Sequence, residues 1–200
     1  MKLNTLERLI VTNPVRHFIQ QYWEVPRLLR LGPVLPQNPQ IIEIGCGSGN
    51  GAKALQKKLN PKKLTTIDLD ERMVLLAQKR LKGLENVRAL QANASDIPQE
   101  TKSHDAIFDM GVLHHIPYWR GALWEIHRVL KDGGVLYAEE FYKPLICNSV
   151  IRKLIKHPQK DRFTHNELLN ELKNAGFKIH FQSTFFGLSG TVIAIKEASG

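Results

Sequence analysis

Short apolar runs alternate with amphipathic stretches along the chain from residue 40 onward. The apolar runs are rich in β-branched residues, and they predict strands over residues 40–44, 64–68, 87–91, 105–109 and 135–141. Between these runs, apolar residues at helical spacing predict helices over residues 51–59, 71–81 and 119–130. This alternation is typical of a parallel sheet flanked by helices, so we predict an α/β fold.

The carboxyl-terminal part of the chain departs from this alternation. Residues 184–196, TFFGLSGTVIAIK, form two strand-like runs around a short Gly/Ser segment, which predicts an antiparallel hairpin that closes the sheet. A helix is predicted just before it, over residues 164–176. Thr164 can cap this helix, Glu167 follows three residues later as in a capping box, and Gly176 can end it.

Two segments fall outside this pattern, and we expect both to cover one edge of the sheet. Residues 1–39 carry apolar and aromatic side chains at helical spacing, interrupted by five prolines. They predict a helical extension or lid on a domain formed by residues 40–200, and we expect the aromatic pair Tyr22 and Trp23 to pack in the core. Residues 143–162 place an apolar face opposite a basic face, which predicts an inserted amphipathic helix.

Composition and charge narrow the class of protein. The 200 residues suit a single domain, and the formal net charge of +9 predicts a surface that attracts nucleic acid, acidic lipid or phosphorylated small molecules. No apolar run approaches the roughly 18 residues of a membrane span, and charges interrupt the amino terminus, so we expect a soluble, cytoplasmic protein without a signal peptide. Cys46 and Cys147 lie in no metal-binding motif, and we predict no metal site.

The clearest chemical signal is the loop in IIEIGCGSGNGAKAL, residues 41–55, which runs from a strand into a helix. Such a loop places free backbone N–H groups and the positive end of the helix dipole beside a ligand. It lacks the Gly-Lys-Ser/Thr ending of a P-loop, and Asn50 stands where a dinucleotide fingerprint has its third glycine. Asp68 ends the second predicted strand, where a carboxylate can accept hydrogen bonds from both ribose hydroxyls of an adenosine-containing ligand.

Six segments occur in an order that resembles a known family: EIGCGSG, TIDLDERMV, ALQANASDIP, HDAIFDMGVLHHIP, EIHRVLKDGGVLYAEE and FTHNELLNELKNAGF. They resemble the successive motifs of class I S-adenosylmethionine-dependent methyltransferases, and more closely the small-molecule branch that includes ubiquinone and menaquinone biosynthesis methyltransferases. The resemblance covers most of the chain. It implies a Rossmann-like, doubly wound, seven-stranded sheet that is mostly parallel, with an antiparallel carboxyl-terminal hairpin strand, and S-adenosylmethionine as the cofactor.

The resemblance also assigns cofactor-binding roles by motif position. It implies that the glycine loop borders the methionine part of the cofactor above Glu43 and that Asp68 binds the ribose. It also implies that Leu69 and Met73 lie near the adenine and that Asn93 and Ala94 meet the adenine edge. Asn93 replaces the aspartate that is common in the family, and a shifted register would give its role to Asp96. The implied cofactor-binding residues are Glu43, Gly45, Cys46, Gly47, Gly49, Asp68, Leu69, Met73, Asn93, Ala94 and Asp109.

Methyl transfer from a sulfonium needs a general base only when the nucleophile arrives protonated. Asp109 ends the fourth predicted strand, and His114 and His115 follow it, so these three residues are the catalytic candidates. For the histidine pair, packing and capping of the next helix is the favoured interpretation, and a role as base or orienting group is the alternative. Glu139 and Glu140 end the fifth predicted strand on opposite faces, and we expect one of them to reach the pocket.

The chemical class of the acceptor is less strongly indicated. The amphipathic segment 143–162 is compatible with a core-covering helix, a lipid surface or contact with RNA phosphates. The segment FDMG stands where many nucleic-acid base methyltransferases carry an Asn-Pro-Pro-Tyr type motif, which favours a small-molecule or lipid-like acceptor. The alternatives are an RNA methyltransferase and a protein that binds S-adenosylmethionine without catalysis. The oligomeric state is not predicted.

Overall fold

The computed structural model describes residues 13–148 and 161–198, which form one seven-stranded sheet. The strand order is β3-β2-β1-β4-β5-β7-β6. Strands β1 to β5 pair in parallel, and β7 pairs antiparallel with both β5 and β6. The predicted mostly parallel sheet with an antiparallel hairpin strand is confirmed. The strands are β1 (Gln40–Ile44), β2 (Lys63–Asp68), β3 (Val87–Gln91), β4 (His104–Met110), β5 (Leu130–Phe141), β6 (Phe177–Phe185) and β7 (Ser189–Lys196).

The predicted helices between the strands are all present, with ends that differ by only a few residues. A π-helical turn follows α1, and a 3₁₀ turn follows β4. The helical segments are α1 (Pro14–Ile19), the π turn (Gln20–Glu24), α2 (Val25–Leu31), α3 (Asn50–Leu59), α4 (Glu71–Arg80), the 3₁₀ turn (Leu113–His115), α5 (Trp119–Val129), α6 (Lys143–Ile146) and α7 (His165–Asn174).

The hairpin turn lies where it was predicted, but its first strand is longer. Strand β6 begins at Phe177, directly after Gly176, whose φ of 89° turns the chain out of α7. The apolar side chains of Phe177, Ile179 and Phe181 alternate with polar ones, and this period of two is the pattern of a half-buried strand. The predicted start at residue 184 was therefore wrong, because the hairpin begins seven residues earlier.

The two faces of the sheet carry separate apolar clusters, since neighbouring residues of a strand point to opposite faces. Ile42 belongs to the cluster under α5 and α7, whereas Ile41 belongs to the cluster under α3 and α4. The amino-terminal segment joins the second cluster through Val25 and Leu28, which are fully buried. The segment therefore covers a face of the sheet rather than its edge.

Helix α7 begins with a complete capping box. The Thr164 hydroxyl accepts from the backbone N–H of Glu167, and the Glu167 carboxylate accepts from the backbone N–H of Thr164 at 2.7 Å. We expect Thr164→Ala to lower the free energy of unfolding by about 1 kcal/mol. The backbone N–H of Glu167 would lose its acceptor, and the Glu167 carboxylate would lose the hydroxyl that holds it beside the backbone N–H of Thr164. Urea unfolding measures this change. Thr164→Ser keeps the hydroxyl and should remain near the wild type, and an equal loss in both variants would contradict the capping role.

The inserted segment is described only at its two ends. Helix α6 and residues 147–148 lie before the gap and residues 161–162 after it, so the predicted amphipathic helix lies mainly outside the described residues. Among the described helices, none combines the length and apolar character needed to cross a bilayer. The parallel strands β1, β2, β4 and β5 end at one edge of the sheet, and a large cavity opens there.

Candidate functional site

The cavity at this edge has a volume of about 1160 Å³. Its floor is formed by the ends of four parallel strands, represented by Ile44, Asp68, Met110 and Glu140. The amino-terminal helical segment, the glycine loop and the hairpin form its walls. Open α/β sheets bind ligands at the carboxyl ends of their strands, so this is the candidate ligand site.

The glycine loop turns sharply between β1 and α3. Gly45, Gly47 and Gly49 all have positive φ angles, and a Cβ atom on Gly45 would lie 2.2 Å from a methyl group of Val112. The backbone N–H groups of Gly45 and Cys46 donate to the carbonyl oxygen of Ile67 at 2.7 and 2.8 Å. These two N–H groups are therefore not available to a ligand, because they bind the adjacent strand.

Asp68 ties the same loop to the end of β2. Its carboxylate accepts from the backbone N–H of Gly47 at 3.1 Å and from that of Asp70 at 2.9 Å. Burial raises the pKa of Asp68 above its ordinary value, and these two hydrogen bonds oppose the rise. Asp68 also lines the cavity, and each carboxylate oxygen has a second lone pair for a ligand hydroxyl.

Glu43 lies behind the loop rather than in the cavity wall. It is buried, and its carboxylate accepts from the Thr66 hydroxyl at 2.5 Å. A Cβ atom on Gly51 would lie 1.9 Å from its Oε1 atom, so the glycine leaves the space that the carboxyl occupies. Burial raises the pKa of Glu43 to about 8, and the nearby carboxylates of Asp68 and Glu24 add to the rise.

Two polar residues of the loop were missed by the sequence reasoning. Ser48 and Asn50 both line the cavity and are almost completely buried. Within the described ranges, the Ser48 hydroxyl and both polar atoms of the Asn50 amide have no hydrogen-bond partner. A buried polar group without a partner costs free energy, so these atoms are suited to polar groups of a ligand. The sequence signal that could have identified Asn50 was its position in the glycine loop. We used that position only to exclude a dinucleotide fingerprint.

The residues expected around an adenine ring are partly brought together. Leu69, Asn93 and Ala94 line the cavity, but Met73 is fully buried and does not line it. The side-chain oxygen of Asn93 accepts from the backbone N–H of Ser95 at 3.0 Å, so only its second lone pair remains for a ligand. Asp96, the alternative at this position, is exposed and does not line the cavity.

A buried acid–histidine cluster forms the floor below the β4–α5 loop. Glu140 accepts from the backbone N–H groups of Val112 and Leu113 at 2.9 and 2.8 Å, and its other oxygen lies 2.5 Å from Nδ1 of His114. Burial raises the pKa of Glu140 to about 7 and lowers that of His114 to about 3. Burial and the nearby Glu140 carboxyl raise the pKa of Asp109 well above its ordinary value.

The three catalytic candidates have different positions relative to this cluster. His114 and His115 line the cavity, with their ring centroids 4.2 Å apart. Asp109 is fully buried beneath the wall and accepts from the backbone N–H of Val112 at 2.9 Å. Glu139 and Glu140 both line the cavity, although we expected only one of them to reach it. Gly49, like Asp109, does not line the cavity; it precedes the first residue of α3.

The amino-terminal segment contributes a polar stripe that the sequence reasoning also missed. Arg16, Gln20, Glu24 and Arg27 are spaced at helical intervals and all line the cavity. Arg16 forms an ion pair with Glu24 at 2.7 Å, and burial raises the pKa of Glu24 to about 7. Arg27 binds the carboxylate of Glu139 and the hydroxyl of Thr191.

The aromatic residues beside this stripe do not pack in the core as expected. Tyr22 and Trp23 are 57% and 59% exposed, and Trp23 lines the cavity. Since the helical face that points inward carries the polar stripe, the aromatic pair lies at the rim. Among the described residues, no group of three or more His, Cys, Asp or Glu side chains is arranged to hold a metal ion.

Comparison with known proteins identifies the family of the central region. Residues 42–138 match the family model described as a methyltransferase domain. These residues form a methyltransferase domain. The match begins in β1 and ends in β5, so it includes the glycine loop, Asp68 and the histidine pair.

Two curated relatives and one solved structure are similar to this chain, and all three are named as methyltransferases. The methyltransferase domain is similar to the phthiotriol/phenolphthiotriol dimycocerosates methyltransferase of Mycobacterium tuberculosis, with 33% identity over 60% of this chain and 43% of the relative. It is also similar to the demethylmenaquinone methyltransferase of Staphylococcus aureus, with 31% identity over 52% of this chain and 44% of the relative. A SAM-dependent methyltransferase from Aquifex aeolicus shares the fold, with a TM-score of 0.77, 22% identity and coverage of 97% of this chain and 99% of that one.

The chain therefore spans less than half the length of these two curated relatives. The family and the fold imply S-adenosylmethionine as the cofactor of the methyltransferase domain. The cavity fits this group because Asp68 is placed to accept from a ribose, and Ser48 and Asn50 have polar atoms available. The carboxylates in the wall suit a sulfonium cation, whereas the occupied N–H groups of Gly45 and Cys46 offer little to a pyrophosphate.

Proposed function

We propose that this protein is an S-adenosylmethionine-dependent methyltransferase that acts on a small-molecule or lipid-like acceptor. The observation that carries the proposal is the cavity itself, which is lined by the glycine loop, by Asp68 and by several apolar side chains. The named activities of the mycobacterial and staphylococcal relatives, on phthiotriol/phenolphthiotriol dimycocerosates and on demethylmenaquinone, support the acceptor class.

The proposed organisation has two parts. Residues 40–200 form the methyltransferase unit, and residues 1–39 form an amino-terminal extension. The extension is anchored by the buried Val25 and Leu28, and its Arg16 and Arg27 reach the cavity. The proposed role of the extension is to separate the bound acceptor from solvent.

When bound, S-adenosylmethionine supplies a methyl group on a positively charged sulfur, which a nucleophile takes by in-line displacement. The proposed task of the protein is to hold the two reactants in line and to exclude water. Asp68 would accept from the ribose hydroxyls, and the glycine loop would allow the close approach of the methionine part. Ile116, Leu145 and Ile146 also line the cavity and suit an apolar acceptor.

We assign to His114 the role of orienting the acceptor, because burial lowers its pKa to about 3 and so makes its neutral ring a weak base. Its Nδ1 atom lies 2.5 Å from the Glu140 carboxyl, which fixes the orientation of the ring. The backbone N–H groups of Val112 and Leu113 hold Glu140 in place, and Asp109 accepts from the same N–H group of Val112. Asp109 is thus a positioning residue rather than a group that touches the acceptor.

Titration calorimetry tests the cofactor assignment directly. We expect S-adenosylmethionine and S-adenosylhomocysteine to bind in the micromolar range and NAD to show no binding. Preference for NAD would contradict the proposal. A labelled methyl group should then appear on a quinol or a hydroxylated lipid rather than on RNA, and transfer to RNA alone would overturn the acceptor class.

A further inference from the structure

The hairpin at the cavity mouth carries no charge over a long stretch. Residues 181–195, FQSTFFGLSGTVIAI, contain no Asp, Glu, Lys or Arg. Its tip presents Phe185 and Phe186, which are 65% and 85% exposed and stack edge-to-face with centroids 4.7 Å apart. Exposed hairpin tips usually carry polar residues or glycine, so two adjacent exposed aromatic side chains need an explanation.

The backbone conformation at the hairpin tip is unfavourable for one of these two phenylalanines. Phe186 has a φ of 49°, in the left-handed region that favours Gly or Asn and is unfavourable for a bulky side chain. Its side chain is almost fully exposed, so it contributes little to the folded core. A residue that is locally unfavourable and buries little in the fold indicates an interaction outside it.

Further exposed apolar side chains surround the same opening. They come from the amino-terminal segment, the loops after β2 and before α5, and the end of β5, and each is about half exposed while lining the cavity. These residues are Trp23, Leu69, Tyr118 and Phe141. Together with Phe185 and Phe186 they form an apolar rim, and a ligand that crosses this rim enters the cavity directly.

Basic side chains lie beside the apolar rim. The ammonium group of Lys57 lies 5.9 Å from the ring centre of Tyr22, and Lys143 is exposed two residues after Phe141. Arg27 lies 5.2 Å from the ring centre of Trp23, but its charge is paired with the Glu139 carboxylate, so the attraction to headgroups rests on the two lysines. Aromatic side chains beside basic ones, in a chain of net charge +9, are complementary to the headgroups of an anionic membrane.

We propose that the apolar rim docks on the surface of an anionic lipid bilayer, with Phe185 and Phe186 inserted between the headgroups. The rim surrounds an opening to the cavity, so docking would let a lipid-like acceptor pass from the bilayer to the site without crossing water. A protein partner on the same rim would close that opening. The supply of the acceptor rests on the proposed function, whereas the docking itself does not.

Vesicle co-sedimentation tests the proposal on the full chain. We expect binding to phosphatidylcholine vesicles that contain phosphatidylglycerol, and weaker binding to pure phosphatidylcholine. The double variant Phe185→Ser/Phe186→Asn should partition about tenfold more weakly, because it removes the inserting side chains while Asn tolerates the left-handed backbone. The matched control is Leu75→Ser/Leu76→Ser, which removes two exposed apolar side chains of α4 outside the cavity and should bind like the wild type.

Absence of binding to either vesicle, or equal loss in both double variants, would overturn the proposal. Titration of each variant with S-adenosylhomocysteine distinguishes a failure of the docking proposal from a failure of the proposed function. We expect the Phe185→Ser/Phe186→Asn protein to keep its affinity for that ligand and its melting temperature. Membrane binding without any adenosyl-ligand binding would support the docking surface and contradict the cofactor assignment.

Discussion

Asp68→Ala is expected to weaken S-adenosylhomocysteine binding by roughly 1–3 kcal/mol, which is about 5- to 150-fold in affinity. The carboxylate is the proposed acceptor for the ribose hydroxyls. It also holds the glycine loop through the backbone N–H of Gly47. Loss of both contacts should therefore raise the dissociation constant that titration calorimetry measures. Asp68→Asn keeps one oxygen acceptor and should lie between the wild type and the alanine variant.

Asp96→Ala is the matched control for this experiment. Asp96 is exposed and outside the cavity wall, and it is the residue that a shifted motif register would place at the adenine. We expect its affinity for S-adenosylhomocysteine to equal that of the wild type. Unchanged affinity in a folded Asp68→Ala protein would show that the ribose site is elsewhere, and a loss only in Asp96→Ala would favour the shifted register.

Glu43→Gln is expected to stabilise the protein at pH 8 by roughly 2–4 kcal/mol relative to wild type, with little effect near pH 4.5. Burial raises the pKa of Glu43 from 4.5 to about 8 in the folded state. Between these values the unfolded chain has released the proton that the folded protein retains, so wild-type stability falls as the pH rises through this window. A glutamine does not titrate, and its amide can bind both Thr66 and the backbone N–H of Ala52.

Urea unfolding of both proteins at several pH values measures this difference. Glu85→Gln, a change at an exposed glutamate, serves as the control for loss of one charge and should show no such pH dependence. Burial also raises the pKa values of Glu24 and Glu140 to about 7, so the wild type should lose stability over the same range. If the difference in the free energy of unfolding between Glu43→Gln and wild type stayed constant from pH 4.5 to pH 8, it would contradict the raised pKa of Glu43.

The secondary structure was predictable because its signals are local. Alternation with a period of two, helical spacing of apolar residues, the capping box at Thr164 and the Gly/Ser hairpin turn each depend on residues within a few positions. The start of β6 was missed because its alternating pattern was not used. The motif order then indicated the methyltransferase family, which the domain match confirmed.

The site was only partly predictable, because its side-chain pairs join distant parts of the chain. Arg27 meets Glu139 across 112 positions and Thr191 across 164, and no spacing rule relates such residues. For the same reason the polar stripe of the amino-terminal segment was not recognised as part of the cavity. The buried position of Asp109 and the bond from His114 to Glu140 likewise depend on how two neighbouring strands pair.

The sequence by itself determined the order of strands and helices, the position of the glycine loop and the carboxylate at the end of β2. Local backbone preferences and apolar periodicity act over short distances, and they are written directly in the residue order. Only the tertiary structure decided which backbone N–H groups of the glycine loop bind the adjacent strand, which acids are buried close together and which aromatic side chains surround the opening. Those outcomes depend on burial and on contacts between segments, which arise only when the sheet is assembled.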